Sequence, residues 1–227
     1  SIQISNEVLT AERDKILYHN PRLNIHGIPF HDISSDQLFA LQYGDMELVG
    51  LVDLNLSDGA VPHLLEHIKS NFYQLALGAS IHSPKDFLAV LNQAVKAVVE
   101  RLEKYLGLSW VIWFEQESTL LINILDFNAF LISKDEVIEL VMDKESPDGF
   151  LEIQKVGRLI GVSDGFAKQL ADDANRAYGS KRLYAKVQEL RTNKSSEIVS
   201  KMQKDFDRWR GIMEQQDDVT ILILDYE

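Results

Sequence analysis

Strand-length and helix-length apolar segments follow one another along this chain without strand–helix–strand alternation. Leu23–Phe30 reads as a strand. Gln37–Gln42 and Met46–Leu54 read as a hairpin about Tyr43-Gly44-Asp45, with Gly44 supplying the positive φ that a tight turn needs. Two helices follow. Val61–Ala76 carries Leu64, Leu65, Ile68, Phe72 and Leu75 at helical spacing, and the next helix opens with Ser83 as N-cap, Pro84 and Asp86. A run of short strands comes next: Trp110–Phe114, Thr119–Leu125, Ala129–Ser133, Val137–Val141, Leu151–Ile153 and Arg158–Val162. Helical segments Phe166–Tyr178, Arg182–Leu190 and Glu197–Met213 precede a last strand, Val219–Leu224. At the front, Asn6–Tyr18 reads as a short helix stopped by Asn20-Pro21. Blocks of strands set apart from blocks of helices argue against a parallel Rossmann-like sheet. They predict an α+β fold, a sandwich of antiparallel sheets with helices packed outside. No repeat or low-complexity linker divides it, so residues 1–22 read as a helical lead-in or linker and 23–227 as one domain.

Composition narrows the chemistry. Thirty-five acidic against 23 basic residues give a net charge of −12, which leaves no basic footprint for nucleic acid and disfavours anionic membranes. The absence of cysteine removes thiol nucleophiles, Fe–S clusters and cysteine-based zinc sites, and fits a reducing, cytoplasmic setting. The longest apolar stretches are strand-sized, far short of a membrane span. The chain starts at Ser1 without an initiator Met, which suggests a piece of a longer protein with an upstream domain.

An acid at a strand end is held by a rigid element. Four places have one: Asp36 before the first hairpin strand, Asp53 closing the second, Asp164 after Leu159–Ser163, and Asp217-Asp218 before Val219. Any one of them alone is ordinary turn chemistry. Gathered in one cleft they would repel unless cations lay between them, and oxygen-only ligands select hard cations such as Mg²⁺ or Mn²⁺.

Three segments resemble the SpoIIE/RsbU-type branch of the metal-dependent PPM (type 2C) serine/threonine phosphatases. Gln215-Gln216-Asp217-Asp218-Val219-Thr220 is similar to its Gln-x-Asp-Asp-x-Thr signature. Gly157–Gly165 is similar to its Gly-Asp-x-x-x-x-(Ser/Thr)-Asp-Gly strand, followed by Tyr178-Gly179-Ser180-Lys181-Arg182-Leu183 for Phe-Gly-x-x-Arg-Leu. Ser34-Ser35-Asp36 resembles Gly-Gly-Asp, Asp53 stands at the Asp of Gly-Asp-Val-Ser-Gly-His-Gly, and Ala60-Val61-Pro62 resembles the Gly-Val-Pro after it. The resemblance implies a PPM-type sandwich of two antiparallel sheets flanked by helices, with two Mn²⁺ or Mg²⁺ ions activating a water to attack phosphorus in line. It implies Asp53 as the bridging, catalytic ligand, the Leu54 carbonyl as a further ligand, and Asp36, Asp164 and Asp217 completing the set, with Asp218 the lesser member of its pair. It implies a phosphoserine or phosphothreonine signalling protein as substrate, in this branch often an anti-sigma-factor antagonist.

The chain also departs from the pattern. Leu54–Gly59 replaces the His-containing loop, and Phe39 stands where a second acid is expected. These departures leave a second reading open, a decayed phosphatase scaffold kept for binding. A third reading comes from His63-Leu64-Leu65-Glu66-His67, which fits the H-x-x-E-H zinc peptidase pattern. It lacks a distinctive third ligand, and an amphipathic helix with Leu64, Leu65 and Ile68 inward explains the same residues. Trp110 and Trp113 read as core or interface residues rather than a stacking platform, because nothing basic flanks them.

Overall fold

The computed structural model describes residues 16–20, 23–28, 36–44, 46–53, 60–102, 107–114, 119–124, 127–142, 150–154, 157–171 and 176–225. In chain order these form β1 (Ile16–Asn20), β2 (Leu23–Ile28), β3 (Asp36–Tyr43), β4 (Met46–Asp53), α1 (Ala60–Gly78), α2 (Pro84–Leu102), β5 (Gly107–Phe114), β6 (Thr119–Asn123), β7 (Phe127–Ile132), β8 (Val137–Leu140), β9 (Leu151–Gln154) and β10 (Arg158–Ser163). After these come α3 (Asp164–Lys168), α4 (Ser180–Leu190), α5 (Ser195–Arg210) and β11 (Val219–Asp225). The strands pair into a six-stranded sheet, β1-β2-β11-β10-β7-β8, and a five-stranded sheet, β3-β4-β5-β6-β9. Every pairing within both sheets is antiparallel, which confirms the α+β sandwich.

Strand alternation sorts the apolar residues into three layers. Val49 and Ile122 from one sheet meet Ala129, Leu159, Leu222 and Leu224 from the other, forming the core between the sheets. The alternate positions Leu41, Met46 and Leu48 face outward, against Leu65, Ile68 and Phe72 of α1 and Phe87 and Leu91 of α2. On the other side Ile160, Val162, Ile221 and Ile223 pack under Phe166, Leu183, Val187, Met202 and Phe206 of the last three helices. Phe72, Phe87, Phe166 and Phe206 are fully buried, each contributing about 1.5–3 kcal/mol of transfer free energy. The start of α2 follows its sequence signal. The Asp86 N–H donates to Ser83 Oγ at 3.2 Å, while Asp86 Oδ2 accepts from the Ser83 hydroxyl at 2.9 Å and the His82 N–H at 3.1 Å. Gly44 has φ +60° in the β3–β4 turn, where Tyr43 pairs with Met46.

Two expectations are corrected. Ile16–Tyr18 do not belong to a helix. They lie in β1, an edge strand pairing antiparallel with β2, Asn20 opposite Leu23, so ladder hydrogen bonding outweighs a weak helical pattern. Residues 6–15 of that expected helix lie outside the described residues. The expected helix Phe166–Tyr178 is broken at Lys168. Gln169 takes φ −53° and ψ 125°, which no helix continues, and the chain doubles back so that Leu170 pairs with Ala177. Among the described residues no helix is long and apolar enough to cross a membrane.

Candidate metal centre

The first two acids sit on one rung. In the β3–β4 ladder Asp36 stands directly opposite Asp53, the last residue of β4. Directly opposed residues in an antiparallel pair have Cα atoms about 4.5–5.5 Å apart. Asp53 lies four residues beyond Val49 in the same strand, so it occupies a position on the inter-sheet face. Phe39, in the place of the expected second acid, is opposite Gly50 in the same ladder. Residues 54–59, Leu54 among them, lie outside the described residues.

The other acids gather where β10 ends and β11 begins. Ser163 closes β10, and its Oγ accepts the Thr220 N–H at 2.8 Å and donates to the Asp218 carbonyl at 3.4 Å. Asp164 therefore starts α3 directly beside the Asp217-Asp218 segment. Gly165 makes the approach feasible. A Cβ there would stand 2.2 Å from the Asp218 carbonyl oxygen and 3.1 Å from the Asp217 Cβ, so only glycine lets α3 sit on this backbone. Asp217 Oδ1 accepts the Asp218 N–H at 2.9 Å, and Gln215 Nε2 donates to the Asp217 carbonyl at 2.7 Å. Burial pushes the Asp217 carboxyl above its ordinary range. The Asp218 N–H pulls it back, and the charges of Asp164 and Asp218 push it further up. Lys168, one turn along α3, pairs with Asp164 and partly relieves that repulsion.

The structure thus brings Asp36 to Asp53 and Asp164 to Asp217 and Asp218. Among the described residues, no three His, Asp or Glu side chains converge as a metal cage. His63, Glu66 and His67 are exposed on α1, while Leu64, Leu65 and Ile68 are buried beneath them, as the amphipathic reading requires. Two supporting residues carried no sequence signal as such: Gln169 is fully buried, and Gln216 reaches back to the Leu170 N–H at 3.1 Å. Ser163, the Ser/Thr position of the resembled strand, ties the two strands of the acid cluster. A buried glutamine beyond a strand-end acid is legible only once the loop it binds is placed.

No protein-family model matches the chain, and no curated protein matches its sequence. Solved structures match in shape. The SiaA-PP2C domain of Pseudomonas aeruginosa gives a TM-score of 0.72 at 18% identity, covering 90% of this chain and 86% of that one. The PP2C phosphatase domain of SpoIIE from Bacillus subtilis, solved with a fragment of its regulatory domain, gives 0.64 at 14% identity. That match covers 95% of this chain but 65% of the SpoIIE chain, so the present chain spans just under two thirds of its length. RsbX, solved in complex with magnesium, gives 0.54 at 13% identity, covering 92% and 98%. The α-β-β-α layering agrees with these likenesses, and the fold of this chain is that of PP2C phosphatase domains.

Proposed function

We propose that this chain is a metal-dependent serine/threonine protein phosphatase. The observation that carries the reading is the pairing of strand-end acids, Asp36 with Asp53 and Asp164 with Asp217, on a PP2C fold. The donor set fits two Mn²⁺ or Mg²⁺ ions. It is oxygen only, and the raised Asp217 carboxyl is the electrostatic cost that a cation removes. Asp53 and Asp36 would hold the ions from one sheet, and Asp164 and Asp217 from the other, with Asp218 in a lesser role; the family resemblance adds the Leu54 carbonyl as a further ligand. When bound, such ions lower the pKa of water and offset phosphate charge. The chain's own part is placement: the β3–β4 ladder fixes Asp36 and Asp53, Asp164 opens α3 beside the Asp217-Asp218 segment, and Lys168 pairs with Asp164. The substrate is a phosphoserine or phosphothreonine protein, with the anti-sigma-factor antagonists as the nearest class. Residues 54–59 and Phe39 depart from the family's pattern, so a docked protein, rather than a small ester, is the better substrate. In this reading the enzyme acts in cytoplasmic signalling, with an upstream regulatory domain as its neighbour.

Asp53→Asn tests the reading, because an amide keeps the shape and loses the charge. Its expected outcome is loss of Mn²⁺-dependent hydrolysis of a chromogenic phosphoester, weakened Mn²⁺ binding by calorimetry, and an unchanged circular dichroism spectrum. Wild-type turnover in Asp53→Asn would remove Asp53 from the mechanism. A wild-type protein that binds no metal and cleaves no phosphoester would favour the non-catalytic scaffold.

A further inference from the structure

The segment that presents Asp217 and Asp218 has no helix or strand of its own, so its position depends on what grips it. Besides the Ser163 hydroxyl on the Asp218 carbonyl, the grip comes from Gln169, 0% exposed at the end of α3, although glutamine is seldom fully buried. Its Nε2 donates to the carbonyls of Leu170 and Glu214, each at 3.1 Å, and its Oε1 accepts the Gln216 N–H at 3.1 Å. Gln216 answers from the other side, its Oε1 accepting the Leu170 N–H at 3.1 Å. The Gln169 carbonyl is held in turn by Trp209 Nε1 of α5, at 3.1 Å, and by the Tyr178 N–H, at 2.9 Å.

We propose that Gln169 is a positioning residue which, with Gln216, locks the segment 214–218 onto the end of α3 and so sets Asp217 against Asp164. This rests on the phosphatase reading for its consequence, though not for its geometry. A primary amide suits the place because it donates twice and accepts once, matching two carbonyls and one N–H. An ionised carboxylate has no donor for the carbonyls, and a thioether leaves all three partners unmet in a buried setting. The lock also explains why α3 stops after Lys168. Gln169 leaves the helix to reach the acid segment, and Leu170 then starts the return toward Ala177.

The test uses two variants of the whole chain. Gln169→Met keeps length and volume but removes the amide. Gln216→Ala removes the return bond at an exposed position that the core does not need. Hydrogen exchange on metal-free protein reads the lock directly: protection of the Gln216 and Leu170 amides should fall while β10 and β11 stay protected. Calorimetric Mn²⁺ titration reads its consequence, a loss of affinity of about 10–100-fold, the range seen when groups that orient metal ligands are removed. The Mn²⁺ needed for half-maximal hydrolysis should rise in parallel, with the rate at saturating metal falling less. Unchanged exchange at both amides and unchanged Mn²⁺ affinity in Gln216→Ala overturn the lock, even if Gln169→Met fails to fold. A wild-type protein that binds no Mn²⁺ overturns the phosphatase reading instead, while the exchange experiment still judges the lock.

Discussion

Asp217 carries an unfavourable charge in the folded, metal-free protein. Its carboxyl is pushed above its ordinary range chiefly by burial, and also by the neighbouring charges of Asp164 and Asp218, against the pull of the Asp218 N–H. A carboxyl raised on folding stabilises the fold below its unfolded pKa, and that contribution is lost as pH rises through the folded value. At neutral pH the metal-free protein therefore bears a cost that an amide would lack. Asp217→Asn is expected to melt above wild type at pH 7 without metal, the gap narrowing as pH falls toward the ordinary carboxylate range. Saturating Mn²⁺ should reverse the order, because wild type gains a ligand that the variant has lost. Thermal melts of both proteins at two pH values, with and without metal, check this. A gap that ignores pH would mean that the Asp217 charge is not what separates them.

At the scale of elements, the contact between α3 and the start of β11 is made backbone to backbone. A Cβ on Gly165 would lie 2.2 Å from the Asp218 carbonyl oxygen, and neither partner is a flexible side chain that can turn away. Gly165→Ala should cost about 1–3 kcal/mol, the range for overpacking, and should displace Asp217 from Asp164. Chemical denaturation measures the first effect and a raised Mn²⁺ requirement the second. Wild-type stability and metal demand together would show that α3 can shift without consequence. The sequence made parts of this arrangement plain. Asp164-Gly165 and Asp217-Asp218 were visible at strand ends, and Ser83, Pro84 and Asp86 announced α2 through local hydrogen bonds that need no tertiary partner. The end of α3 was hidden because it is set by distant groups. Gln169 leaves the helix for Glu214 and Gln216, 45 and 47 residues away. The strand Ile16–Asn20 was hidden likewise, since its ladder partner, not its own pattern, makes it a strand. The Asp36–Asp53 rung was half legible. The hairpin and its turn follow from Gly44, but only the register shows that the two acids face each other across the ladder.

The whole molecule divides the proposed ligands between its two sheets. Asp36 and Asp53 close one hairpin of the five-stranded sheet, and Asp164 and Asp217 flank β10 and β11 of the six-stranded sheet. In the proposed centre, the spacing between the two pairs would be set by the core between the sheets, where Val49 and Ile122 meet Leu159, Leu222 and Leu224. The outer layer, where Leu183 of α4 packs on the far side of the six-stranded sheet, has no such role. Comparing one truncation in each layer separates spacing from stability. Leu222→Ala and Leu183→Ala each empty a buried site, and each should cost about 2–5 kcal/mol. Both should leave the local hydrogen bonds of the acids intact. Collapse of the inter-sheet core in Leu222→Ala moves one pair of carboxylates against the other, and two ions about 4 Å apart tolerate little such movement. Leu222→Ala should therefore need several-fold more Mn²⁺ for half-maximal hydrolysis, because site geometry sharply sets affinity. Leu183→Ala should keep the wild-type requirement at a temperature where both variants remain folded. Equal metal requirements at equal stability loss would mean that the ligands do not straddle the two sheets, and the assignment of Asp36 and Asp53 to the same centre as Asp164 and Asp217 would have to be abandoned.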